Sequence, residues 1–344
     1  MEERLIVVFA TSFLDEPVAA VPRAGAGAKI LAELQSRSDK SGDFGGNAIR
    51  VIFRCERSPA EPLSSEELQG VTAVIADLER YPAELLSECG LGAGGTLELI
   101  ARYGVGYESV DVEAATATGV LVTNTPGANT LPTAEWSVAT LLDVAGRRLP
   151  HHERASKGGA KSGLPRLDVS GKTIGIVGAG AVGRRVARLM SGFGLRLLAY
   201  DLYPDHQWAK SSGARFVELP ELLRECDFVT LHAATSDRII GSAELALMRP
   251  SAVLVNCARG VLVDNRAAYA AVSEGRLWGY GLDEVWTEHD LPLEGLNIVV
   301  SPHVGSDTDA GKAGMQVMSA QAVADYMGGK SPEHLINPDA LKNR

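Results

Sequence analysis

Six residues, Gly178-Ala179-Gly180-Ala181-Val182-Gly183, restrict this chain more than any other feature. They follow an apolar strand, TIGIVG at 173–178, and open a helix, AVGRRVARLM. A bare GxGxxG is weak evidence; a strand before it and a helix after it give it meaning. In that setting the first glycine makes the tight turn and the second lets a diphosphate approach the backbone. The third packs helix on strand. The helix N-terminus then supplies free N–H groups and positive potential. Asp201 closes the next strand, RLLAYD, at the distance where an acid binds the ribose hydroxyls of a dinucleotide. No arginine follows it in Asp201-Leu202-Tyr203-Pro204, so a 2′-phosphate would meet a carboxylate with no adjacent cation. The cofactor expected is therefore NAD rather than NADP.

Strand–helix alternation extends this reading along the chain. Strands are expected at 4–10, 51–53, 71–77, 97–103 and 120–125, with helices at 64–70 and 110–119 between them. A Gly-, Ala- and Ser-rich stretch at 20–48 reads as a helix with a loose loop behind it. A linker then leads into a long apolar helix from near Pro132, followed by a polar loop. A second series of strands falls at 173–178, 196–200, 228–232, 253–257, 278–283 and 297–301. Such alternation means parallel βαβ units, an α/β protein of two doubly wound sheets. A helical stretch at 311–327 returns the tail to the first domain, and 344 residues suit two domains.

The formal net charge of −10 excludes a global attraction for nucleic acid or anionic membranes. Cys55, Cys89, Cys226 and Cys257 lie far apart with no CxxC pair, so they form neither a disulfide framework nor a zinc site. They fit a reducing cytoplasm. The opening MEERLIVVFA has too short an apolar run for a signal peptide, and no stretch reaches membrane-spanning length. His151 and His152, adjacent in the polar loop, read as solvated residues and not as metal ligands; no metal is expected.

Three chemically complementary residues fall at carboxyl ends of expected strands, where open α/β sheets bind ligands. Arg259 lies in VLVNCARG, Glu288 in LDEVWTEHD and His303 in IVVSPHVG. Together with GVGYESVD (104–111), NTPGAN (124–129) and the glycine loop, these segments resemble the successive signatures of the D-isomer-specific 2-hydroxyacid dehydrogenase family. The resemblance runs from about residue 70 to 325.

The resemblance implies a Rossmann NAD-binding domain (128–305) inserted into a split, flavodoxin-like substrate domain (1–127 and 306–344). It implies hydride transfer between nicotinamide and a small anionic 2-hydroxy or 2-oxo acid, D-isomer specific, in a protein commonly homodimeric. Arg259 would clamp the substrate carboxylate and polarise the 2-oxo group with its planar fork of donors. His303 would be the general acid/base. Glu288 would hydrogen-bond the imidazole and raise its pKa. Backbone amides around Val105 and Gly106 would cradle the carboxylate. Besides Gly178, Gly180 and Gly183, the positions lining the dinucleotide would be Ala181, Val182, Asp201, His232, Ala233, Cys257, Ala258, Asp283 and Gly305. Asp283 is expected on the nicotinamide carboxamide, and Cys257 as a small wall residue.

The chain departs from the family pattern in three places. The segment after His232 is short, and so is that after Glu288, where His289 replaces a usual proline. Asp77 stands where phosphoglycerate enzymes often carry basic residues, although Arg80 and Arg102 lie close in sequence. The alternatives are a relative oxidising another small anion (phosphoglycerate, formate or a phosphorus oxyanion) and an NAD(H)-sensing, co-repressor-like binding protein.

Overall fold

The computed structural model describes residues 3–10, 13, 25–41, 48–55, 61–160 and 163–344. The chain divides into two units, Met1–Asn129 with Thr308–Arg344, and Thr130–Asp307.

The first unit is built on β1 (Glu3–Val8), β2 (Ala48–Phe53), β3 (Val71–Ala76), β4 (Leu99–Arg102) and β5 (Leu121–Thr123). All pair in parallel, in the order β2-β1-β3-β4-β5, a flavodoxin-like arrangement. Every residue of β3 (VTAVIA) and β4 (LIAR) is buried. A sheet covered on both faces demands continuous apolar runs of this kind in place of alternation. The tail helix Asp309–Met327 packs against the helix Ala26–Ser41 within this unit. Asn337 fastens the tail further, accepting from Val122 N at 2.8 Å and donating to Val120 O at 2.9 Å.

The second unit holds β6 (Thr173–Val177), β7 (Arg196–Tyr200), β8 (Arg215–Phe216), β9 (Phe228–Leu231), β10 (Val253–Asn256), β11 (Gly279–Asp283) and β12 (Ile298–Ser301). Their order is β12-β11-β10-β9-β6-β7-β8, parallel throughout. From β6 the chain winds outward to β8, then restarts at β9 on the other side of β6. The carboxyl ends of β6 and β9 therefore flank a switch point, the place where such sheets open a ligand crevice.

Two local expectations change, and a third falls partly outside the described residues. Residues 64–70 form turns and not a helix. Ser64 and Glu67 make a reciprocal start, with Ser64 N donating to Glu67 Oε2 at 2.9 Å and Glu67 N to Ser64 Oγ at 3.3 Å. Gly70, at φ 73°, ends the segment before a second turn can form. His151 and His152 lie on a helix, Arg148–Ser156, where a loop was expected. In the 20–48 stretch the helix Ala26–Ser41 is described, while 20–24 and 42–47 lie outside the described residues. No helix among the described residues is long and apolar enough to cross a membrane.

Candidate active site

The glycine turn is built by close approach. Gly178 has φ 92°, and a Cβ on it would lie 2.6 Å from Ala233 N and 2.7 Å from the carbonyl carbon of His232. A Cβ on Gly183 would meet Gly178 O at 2.2 Å. Any side chain at either position would force the helix off the sheet. Above Gly180, by contrast, a Cβ would meet nothing within 4 Å, and Gly180 and Ala181 are exposed. The helix Ala181–Met190 has no side-chain cap, so Ala181 and Val182 open it with uncapped amides. Open space over bare amides at the positive end of a helix fits a diphosphate.

Asp201, just past β7, faces this turn: Oδ2 accepts from Ala179 N at 2.7 Å and Oδ1 from Tyr203 N at 2.9 Å. His232, just past β9, bonds through Nε2 to Thr230 Oγ1 at 2.9 Å, and its buried Nδ1 has no partner among the described residues. Burial pushes its imidazole down to about 3, so the ring is neutral. Cys257 is buried after β10, and that burial pushes its thiol up to about 12. A thiol so held is no nucleophile. Ala258, next in line, is half-buried.

At the ends of β10, β11 and β12 lies a charged cluster. His303 Nδ1 is 3.1 Å from Glu284 Oε2. The hydrogen bond from Glu284 holds the imidazole above its ordinary value, against the opposing effect of burial. Reciprocally, the bond from His303 holds Glu284 below the usual carboxylate range. The Arg259 guanidinium is close enough for its charge to lower both. Arg259 itself begins the turn after β10, its carbonyl accepting from Asn256 Nδ2 at 2.8 Å. Gly260 makes room for the carboxylate, since a Cβ there would lie 2.9 Å from Glu284 Cγ.

In this geometry Glu284, and not Glu288, stands beside His303. Glu288 is drawn away to the helix Asn265–Ser273, where its Oε2 lies 2.7 Å from Arg266 Nε. Arg266 also grips Asp290 at 2.6 Å. Pairing of β11 with β12 sets Asp283 opposite Ser301, so Glu284, the first residue past β11, reaches the same sheet end as His303, the second past β12. Asp283, beside Glu284, is engaged within the protein. Its oxygens accept from Ser301 Oγ (2.6 Å), Val304 N (2.9 Å) and Gly305 N (2.7 Å), fastening the turn that carries His303. His303 needs that support, because its φ of 58° lies in the left-handed region.

In the first unit, Val105 and Gly106 follow β4 in a half-buried loop. The amides of Val105, Gly106 and Tyr107 have no hydrogen-bond partner among the described residues. Arg102 is 5% exposed and turned inward, donating to Ala76 O at 2.7 Å and Gly106 O at 3.1 Å. It therefore offers no exposed cation to offset Asp77. Burial, aided by Glu79, pushes Asp77 up to about 6, with Arg102 opposing.

Comparison with known proteins agrees with these features. Residues 138–305 match the model of the D-isomer specific 2-hydroxyacid dehydrogenase NAD binding domain. The chain is 37% identical over 306 residues to a glyoxylate reductase of Thermococcus kodakarensis, covering 84% of this chain and 90% of that protein. It is 35% identical over 308 residues to a glyoxylate reductase of Korarchaeum cryptofilum, covering 85% and 91%. Among solved structures, the TT0316 protein of Thermus thermophilus superposes with a TM-score of 0.76 at 29% identity, over 96% of this chain and 99% of that one. The cofactor is NAD, and the chemistry is oxidoreduction between 2-hydroxy and 2-oxo acids. A glycine turn open to a diphosphate, an acid past the second strand and an Arg–Glu–His cluster at strand ends are thus those of a chain belonging to the D-isomer specific 2-hydroxyacid dehydrogenase family.

Proposed function

We propose that the protein reduces a small, unphosphorylated 2-oxo acid of the glyoxylate class, with Arg259, Glu284 and His303 as its working residues. The observation that carries this reading is the Glu284–His303 pair held within reach of the Arg259 charge. Bound on the glycine turn, NADH supplies the hydride. Gly178, Gly180, Ala181, Val182 and Gly183 would hold its diphosphate, and Asp201 its adenosine ribose. His232, Ala233, Cys257, Ala258 and Gly305 would wall the rest.

Arg259 binds the substrate carboxylate and draws electron density toward the 2-oxo oxygen. The His303 imidazolium gives that oxygen its proton as the carbonyl carbon is reduced, and in reverse the neutral ring takes it back. Glu284 favours the protonated ring, holding the imidazole above its ordinary value. Amides of Val105 and Gly106 would add contacts to the carboxylate. Relatives of 33–38% identity named glyoxylate reductase support this substrate class. The acidic Asp77, with Arg102 turned inward, speaks against a phosphorylated acid.

The test is turnover with NADH across glyoxylate, hydroxypyruvate, pyruvate and 3-phosphohydroxypyruvate. Glyoxylate or hydroxypyruvate should give the highest kcat/KM. NADH binding without turnover of any would overturn the reading in favour of an NAD(H) sensor. We also propose a homodimer, supported by an open groove on the second unit lined by Leu149, Leu167, Phe193 and Leu296. Light scattering decides this point. Cys55, Cys89, Cys226 and Cys257 are buried and form no disulfide with one another, which accords with the reducing cytoplasm as its location.

A further inference from the structure

Three successive carbonyls in the loop after β4 are each tied down by a different group. Gly104 O accepts from Thr125 N at 3.0 Å. Val105 O accepts from Asn124 Nδ2 at 2.8 Å, and Gly106 O from Arg102 Nε at 3.1 Å. In a planar trans peptide the C=O and the following N–H point in opposite directions. Pinning these three carbonyls therefore turns the amides of Val105, Gly106 and Tyr107 the other way, where they meet no partner among the described residues. Successive amides turned to one side make an anion-binding concavity. Gly104, at φ 142°, permits the entry into the loop, and Arg102 Nη2 lies 3.9 Å from where its Cβ would stand.

We propose that Arg102 and Asn124 are positioning residues for substrate binding: from beneath the loop they aim the Val105, Gly106 and Tyr107 amides at the carboxylate of the 2-oxo acid. The inference rests on the function proposed above. Neither side chain touches the substrate; each acts through the carbonyl it holds. Arg102 suits the task because its fork spans two carbonyls, Ala76 O and Gly106 O, with a fixed geometry that an ammonium cannot copy. Its guanidinium is buried, and its charge is balanced by Asp77 and Glu79 beside it. Asn124 is half-buried and pins the middle carbonyl alone.

Asn124→Ala and Arg102→Lys test this, with NADH affinity, kcat, KM for glyoxylate and the oxamate inhibition constant measured on each. Asn124→Ala should raise KM and the oxamate constant together by about fivefold to tenfold, the loss of roughly one hydrogen bond's aim. Its kcat and NADH Kd should stay within twofold. Arg102→Lys should raise both constants further. General loosening of the fold would instead lower the melting temperature and the active fraction while leaving KM and the oxamate constant unchanged. Should Arg102→Lys not fold, Asn124→Ala decides alone. A folded Asn124→Ala protein with wild-type KM and oxamate binding overturns the inference. A wild-type enzyme that reduces no 2-oxo acid overturns the underlying reading instead.

Discussion

The carboxyl ends of β4 and β11 handle charge in opposite ways. Past β11, Glu284 and its partner His303 are 36% and 50% exposed, and in the proposed reaction the side chains themselves carry the chemistry. At the end of β4, Arg102 closes the strand and Glu79 follows the neighbouring β3; they are 5% and 1% exposed, and the group proposed to meet the substrate is backbone. A proton donor must exchange its proton each cycle, so its pKa has to remain adjustable and its ring reachable. A carboxylate-binding loop needs only fixed dipoles, and buried charge beneath it supplies rigidity. One strand end is built to titrate and the other to stay still.

The comparison breaks first at His303. His303→Ala should lower kcat at least about a hundredfold while NADH affinity, measured by fluorescence titration, stays near wild type. An unchanged kcat would mean that the proton comes from elsewhere. Arg259→Lys should follow, lowering kcat/KM for glyoxylate roughly tenfold to hundredfold, because a point charge replaces a planar fork. That variant keeps the positive charge, so the His303 pKa should move little. A large shift would show that Arg259 works mainly by tuning the imidazole.

Much of this was legible in the sequence alone. The glycine turn declared itself because only glycine fits where a Cβ would strike Ala233 N or Gly178 O. The inner strands were legible because parallel strands buried on both faces are uninterrupted apolar runs, as in VTAVIA. β8, two residues long, has no periodicity to read. The Glu284–His303 contact was not legible because family spacing marks a sequence position, while the pairing of β11 with β12 sets which residues share that sheet end and Arg266 bonds Glu288. The role of Asp283 was hidden likewise, since nothing in the sequence announces that a turn needs an acceptor for Ser301, Val304 and Gly305. Side-chain partners that depend on neighbouring strands are the part that sequence motifs carry least.

The account turns on Glu284 as the imidazole's partner, and the pH dependence of kcat/KM for glyoxylate reduction tests it most directly. Reduction needs the imidazolium, so activity is full below the His303 pKa and falls as pH rises through it. The hydrogen bond to Glu284 raises that pKa above the ordinary histidine value, which carries activity to higher pH. Glu284→Gln should shift the fall to lower pH, toward the ordinary histidine value, and Glu288→Gln should leave the profile within experimental error of wild type. The reverse result, a shift in Glu288→Gln and none in Glu284→Gln, would contradict the account.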